Sequence, residues 1–271
     1  MITLILAAVI NTQTAWAWDQ KPNKPIEACK TDLPFGVPSA TKMDTTLECH
    51  DGYALLHDNE ARIAVWAAWT LTPTESVGCI PRTDAFVADL ALVKGKRAEV
   101  SDYNKSGFDK GHMVPDGDLS WDQQVEYESF LMSNMSPQYP NLNRGVWKHL
   151  EASSRAWAQQ RSHSLTIYSG NIYRLGTSKT IGAGRVVVPD RLYKIVVDDV
   201  TGEVLAFLFD NVPKQEIDLK ARLTSVAEIE SQTGVTFPLP AGADKRAVAK
   251  DVWPGDLGDY AAAKKGVCKV R

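Results

Sequence analysis

Four short apolar runs dominate the second half of the chain: Ser164–Tyr168, Val186–Val188, Leu192–Val197 and Val204–Phe209, separated by turns that contain Gly and Asp. Runs of this length, rich in Val, Ile and Leu between turn residues, read as β-strands. Upstream, Tyr53–Leu71 holds two apolar stretches around the polar His57-Asp58-Asn59-Glu60, the pattern of a hairpin. Helical signals are fewer. Ser120-Trp121-Asp122-Gln123 matches a capping box and predicts a short helix running toward Phe130. Leu142–Gln160 carries Val146, Trp147, Leu150 and Trp157 at helical spacing, and Asp218–Thr233 reads as helix with Gly234 as its stop. Strands and helices without a regular βαβ rhythm predict an α+β fold on a mostly antiparallel central sheet flanked by helices. No internal repeat or low-complexity linker divides the chain, so residues 18–271 read as a single domain, with 18–38 as an irregular leader.

Composition narrows the possibilities further. With 271 residues, 44% hydrophobic and 23% charged, the chain is neither disordered nor a multi-span membrane protein. Lys and Arg number 30 against 33 Asp and Glu, a formal charge of −3, so any contact with a polyanion has to come from a local basic patch. Cys79–Ser106 is polar and loop-like, with a basic lean from Lys94, Lys96, Arg97 and Lys105. Met1–Ala17 is uncharged. Its apolar run Ile2–Ile10 is too short to cross a bilayer, and Ala15-Trp16-Ala17 offers small residues where a signal peptidase cuts. Export to the periplasm or the medium is the expectation, with no membrane anchor in the mature protein. Cys29, Cys49, Cys79 and Cys268 suit that destination: an even count predicts two disulfides among three possible pairings, and no CxxC spacing points to a zinc knuckle. Cys268 is expected to staple the C-terminal tail to the body.

The densest chemistry lies in Gly107–Glu151. It contains Asp109-Lys110-Gly111-His112, then Asn134-Met135-Ser136-Pro137-Gln138, then Leu142-Asn143-Arg144-Gly145-Val146-Trp147-Lys148-His149-Leu150-Glu151. These three motifs, in this order, resemble the DNA/RNA non-specific endonucleases of the ββα-metal (His-Me finger) class, the group that includes endonuclease G and secreted bacterial nucleases. The likeness continues through Tyr168–Tyr173 and Val188–Lys194 and covers roughly residues 80–210. The motifs together are far more specific than a lone Asp-x-Gly-His.

Phosphodiester hydrolysis needs a base for water, positive charge for the phosphate, and a proton for the departing oxygen. His112 is the expected base: Gly111 before it is read as permitting a tight turn that leaves the imidazole exposed with its other nitrogen anchored. Asn143, Trp147 and Glu151 stand at i, i+4 and i+8, one face of a helix. The resemblance implies that Asn143 is the single protein ligand of a Mg²⁺ ion, with Mn²⁺ as a substitute, and that Glu151 orders the ion's waters. A helix N-cap is the other role open to Asn143. His149 lies about 240° around the helix from Asn143 and should face away.

By the same resemblance Arg82 grips phosphate, and Asp109, Asn134 and Gln138 are supporting polar residues near the metal's waters. Lys110 stands where the family carries arginine; it keeps the charge but loses the bidentate fork. His50, His57 and His163 have no partner spacing and are read as structural. The function implied is a Mg²⁺-dependent endonuclease that cuts DNA and RNA to 5′-phosphate ends. The second reading is a catalytically inactive relative that only binds nucleic acid. Retention of His112, Asn143 and Glu151 favours the enzyme. Biological role, protein inhibitor and oligomeric state are left open by the sequence.

Overall fold

The computed structural model describes residues 20–42 and 44–270, so the expected signal peptide, 1–17, lies outside the described residues. The chain opens with β1 (Ser39–Ala40), β2 (Thr45–Cys49), β3 (Ala54–Asp58) and β4 (Ile63–Leu71). Next come β5 (Asp109–His112), α1 (Gln123–Glu128), β6 (Met135–Gln138), a π-helical turn over Leu142–Trp147 and α2 (Lys148–Arg161). The remainder holds β7 (Leu165–Ile172), β8 (Thr180–Ile181), β9 (Val186–Val187), β10 (Arg191–Asp198), β11 (Val204–Asp210), β12 (Leu223–Thr224), α3 (Val226–Thr233), β13 (Val235–Thr236) and α4 (Leu257–Val270).

Seven strands form one antiparallel sheet in the order β12-β11-β10-β7-β4-β3-β2. The fold is therefore α+β on an antiparallel sheet, as the strand pattern predicts. Along β10 successive side chains go to opposite faces. Leu192 and Val196 join one apolar layer with Trp69, Trp147 and Trp157, while Tyr193, Ile195 and Val197 join a second layer with Trp66, Tyr168 and Phe237. Both faces are covered, which is why the strands read as continuous apolar runs rather than as strict alternation.

Local departures from the expected elements have local causes. The short helix starts at Gln123, not at Ser120: Asp122 is its N-cap and accepts from the amides of Gln124 and Val125, whereas Ser120 Oγ donates to the Gly117 carbonyl. The expected helix over Asp218–Thr233 begins only at Val226, capped by Ser225. Leu223 and Thr224 are instead drawn into the sheet beside Phe207 and Ala206. Gly234 does end this helix, in the left-handed conformation at φ 68°. The leader is not wholly irregular, since Ile26–Cys29 forms a 3₁₀ turn. It is tied to β2 by the Cys29–Cys49 disulfide. The second bridge, Cys79–Cys268, fastens α4 to the body as expected of the tail cysteine.

Candidate active site

β5, β6 and the helical segment after them make a compact ββα unit. The two strands pair Asp109 with Gln138, Lys110 with Pro137, Gly111 with Ser136 and His112 with Met135. Gly111 sits within extended strand rather than at a tight turn. A side chain there would place its Cβ 2.3 Å from Gln138 Cδ, so close packing is what demands glycine.

His112 follows, and it differs from expectation: it is only 7% exposed. Its ring lies 5.0 Å edge-on from Phe130 and 5.8 Å from Phe86, and its carbonyl accepts from Trp147 Nε1 at 3.2 Å. Burial pushes the imidazole down to about 4, with Arg82 acting the same way and Asp116 and Asp84 opposing. The ring is therefore neutral at pH 7. Among the described residues Nε2 has no hydrogen-bond partner.

Asn134 and Gln138 do not serve the site as expected. Asn134 is fully buried and uses its whole amide on backbone: Oδ1 accepts from Val114 N, and Nδ2 donates to the carbonyls of Val114 and Ser129. It pegs the chain that leaves His112. Gln138 is buried beneath Gly111. Neither side chain lines the cleft: Asn134 is tied to backbone in the turn before β6, and Gln138 is packed against Gly111 across the strand pair.

The cleft itself has a volume of about 470 Å³. Arg82, Lys110, Arg144, Lys148 and Arg155 line it, against the carboxylates of Asp116 and Glu151, with His112 and Asn143 among them. Here is the local basic patch that the net charge of −3 conceals. Asn143 Nδ2 donates to Asp109 Oδ2 at 2.9 Å, and Arg144 clamps the same carboxylate at 2.7 and 2.8 Å. Burial opposes ionisation of Asp109, but the hydrogen bonds from Arg144 and Asn143 outweigh it and hold the carboxyl below its usual range. With Nδ2 committed to Asp109, the opposite end of the amide, Oδ1, is the free hard-oxygen donor. No side-chain cap bond marks Asn143 as an N-cap; the segment starts after Asn141.

The helix carrying Asn143 and Glu151 is not regular. Gly145 takes φ −103° and ψ −114°, a kink inside the Leu142–Trp147 segment that precedes α2. Trp147 is driven fully inside, yet Asn143 and Glu151 still reach one cleft. His149 lines a different hollow beside Trp157 and Trp253, facing away as its helical position implies. Arg82 also reaches the cleft, bonded to Asp84 and Asp116 and lying 4.9 Å over the Phe130 ring. Lys110 Nζ rides 4.7 Å over Phe86.

Two cations were assigned no role by the motifs, although Lys194 falls within the stretch that carries the likeness. Lys194 projects from β10 into the core, 1% exposed, its ammonium 4.5 Å over Trp147 and 5.2 Å over Trp69. Arg155 donates to Asp118 Oδ1 at 2.7 Å, and Trp69 Nε1 donates to the other oxygen. These groups face Glu151. Burial raises the Glu151 carboxyl while Lys194 and Arg155 favour its charged form; burial lowers Lys194 while Glu151 and Asp118 oppose that. The signal available for Lys194 was a lone lysine inside the apolar run Leu192–Val197. Of the other histidines, His57 Nε2 lies 3.1 Å from the Lys96 carbonyl and His163 Nδ1 2.8 Å from Asp198.

Residues 35–242 match the family model for DNA/RNA non-specific endonucleases. A nuclease of Nostoc sp. is 34% identical over 212 residues, covering 74% of this chain and 76% of that protein. Mitochondrial endonuclease G of Homo sapiens is 28% identical, covering 75% and 71%. Among solved structures, EndoG in its complex with EndoGI superposes with a TM-score of 0.70 at 25% identity, over 78% of this chain and 91% of that one.

Proposed function

Because the chain belongs to the DNA/RNA non-specific endonuclease family, we propose that it hydrolyses both DNA and RNA in the Arg82–Glu151 cleft, with His112 as general base and Mg²⁺ at Asn143. The observation that carries this reading is the pairing of a buried, neutral imidazole with an oriented amide oxygen in one basic cleft. The donor chemistry fits the ion. Mg²⁺ prefers oxygen, keeps most of its waters and accepts a single protein ligand when phosphate completes the shell; Mn²⁺ tolerates the same set. When bound, the ion supplies positive charge to phosphate oxygens as they become more negative.

The chain's own residues do the rest. His112, uncharged at pH 7, takes a proton from the attacking water. Arg82 and Lys110 hold the phosphate, Arg82 through the part of its guanidinium not taken by Asp84 and Asp116 and Lys110 as a point charge. Asp109 keeps the Asn143 amide turned the right way, and Lys194 and Arg155 favour the charged form of Glu151. The departing 3′ oxygen takes a proton from solvent water in the open cleft, and cleavage leaves 5′-phosphate and 3′-hydroxyl ends. Convergence of His112, Asn143 and Glu151 on one cleft supports an active enzyme over a relative that only binds.

Residues 18–271 form one nuclease domain on this reading, since a single sheet backs both apolar layers. The two disulfides support export, with cleavage after Ala17, to the periplasm or the medium. Relatives named as mitochondrial show that the family is not confined to one compartment. An activity gel with DNA or RNA tests the function. Clearing of both substrates should vanish in EDTA and return with Mg²⁺, and Asn143→Ala should give no band. Full clearing in EDTA would overturn the proposal.

A further inference from the structure

Away from the cleft, where β2 ends, lies a group of ligand-type side chains that the nuclease chemistry does not use. Glu48 lies in β2 and His50 is the residue just after its end, two positions on. The disulfide holds Cys49 between them toward Cys29. Asp89 approaches from the loop after β4. One ligand atom from each of the three lies within 4.8 Å of the others. All three are buried: Glu48 is 0%, His50 8% and Asp89 2% exposed.

Their hydrogen bonding is incomplete. Ser133 Oγ spends its one proton on Asp89 Oδ2 at 2.6 Å. Neither carboxyl oxygen of Glu48, nor His50 Nε2, has a hydrogen-bond partner among the described residues. His50 Nε2 comes no nearer than 3.8 Å to Asp89 Oδ2 in an ion-pair contact, and two buried carboxyl groups held this loosely beside an imidazole are costly unless something cationic or a shared proton joins them.

We propose that Glu48, His50 and Asp89 form a second, buried site for a divalent transition-metal ion, of which Zn²⁺ is the best fit. One imidazole nitrogen with carboxylate oxygens suits Zn²⁺ better than Mg²⁺ or Ca²⁺, which take oxygen-only shells. Zn–N and Zn–O bonds of about 2.0–2.2 Å place tetrahedral ligands about 3.4 Å apart, so small side-chain rotations close the site. Tyr53 stacks on the His50 ring with centroids 4.5 Å apart and fixes its orientation. The site would bolt the sheet edge to the Asp89 loop and to Ser133. Ser133 precedes Asn134, the peg behind the His112 strand. Its role is structural, and it does not depend on the cleavage mechanism.

The test is made in an Asn143→Ala background, so that the cleft ligand is absent. Full mature protein is stripped with chelator, incubated with Zn²⁺, desalted and assayed for metal and for Tm. One zinc per chain and a raised Tm are expected. Replacement by Co²⁺ should give the visible ligand-field bands of a low-symmetry four-coordinate site. Glu48→Gln, which keeps shape and can form hydrogen bonds, should fold but lose both the stoichiometric zinc and the Tm response. Two results overturn the site: no zinc retained with an unchanged Tm, as expected if Glu48 and Asp89 merely share a proton, or undiminished zinc in Glu48→Gln.

Discussion

Burial gives His112 an unusual balance of properties for the general base proposed here. An imidazole pushed down to about 4 is uncharged across the neutral range and always ready to accept a proton, at the cost of being a weaker base. The cause is the aromatic wall, so opening that wall should restore ordinary titration. The His112 ring resonances should move through a midpoint near 4 in the wild type, being neutral above it, and nearer 6.5 in Phe86→Ala. Equal midpoints in the two proteins would remove Phe86 from the argument. At Asn143 the decisive partner is Asp109. Asp109→Asn should leave the fold intact but free the amide to rotate, raising the Mg²⁺ concentration for half-maximal rate by roughly 10–100-fold. The rate at saturating metal should be largely kept; an unchanged metal requirement would show that Asp109 does not orient the ligand.

The ββα unit shows which features of elements can be read from a sequence. Its motif residues are close in the chain, so Asp109, Lys110, His112, Asn143 and Glu151 were all legible, and the structure brings the last four into one cleft. Inward-facing positions were not. Asn134 and Gln138 look like cleft residues until backbone hydrogen bonds fix the first and packing against Gly111 buries the second. Lys194 and Arg155 acquire meaning only from partners on other elements. Gly111 illustrates the same limit: the residue was legible, whereas its reason, the Gln138 side chain, is a cross-strand contact. Gly111→Ala should therefore cost about 1–3 kcal/mol by overpacking. Pairing it with Gln138→Ser should recover much of that loss in urea unfolding. Additive losses would mean that the strain lies elsewhere.

Across the whole molecule, charge is organised locally rather than in bulk. Net charge is −3, yet five cations face two carboxylates in the cleft. Several of those cations are already engaged: Arg144 with Asp109, Arg155 with Asp118, and Arg82 with Asp84 and Asp116. Only a few phosphates can then be neutralised, and log Kd against log salt for a catalytically inactive variant should have a slope magnitude of about 2–4. A slope near zero would exclude backbone recognition, and one near ten would require a far larger basic surface. The α+β sheet was legible from its short continuous apolar runs, because strands buried on both faces impose them. The disulfide partners were not, since Cys79 and Cys268 meet only once α4 has docked across a separation of 189 residues.

The account rests on a base that acts in chemistry and is dispensable for binding and folding. Single-turnover cleavage of a short duplex by His112→Ala, at enzyme concentrations well above Kd and with saturating Mg²⁺, isolates that step. The rate should fall by about 10²–10⁴-fold while Kd for the duplex and Tm stay close to wild type. Cleavage at near wild-type rate by the folded, duplex-bound variant would contradict the assignment of His112 and, with it, the mechanism built around the cleft.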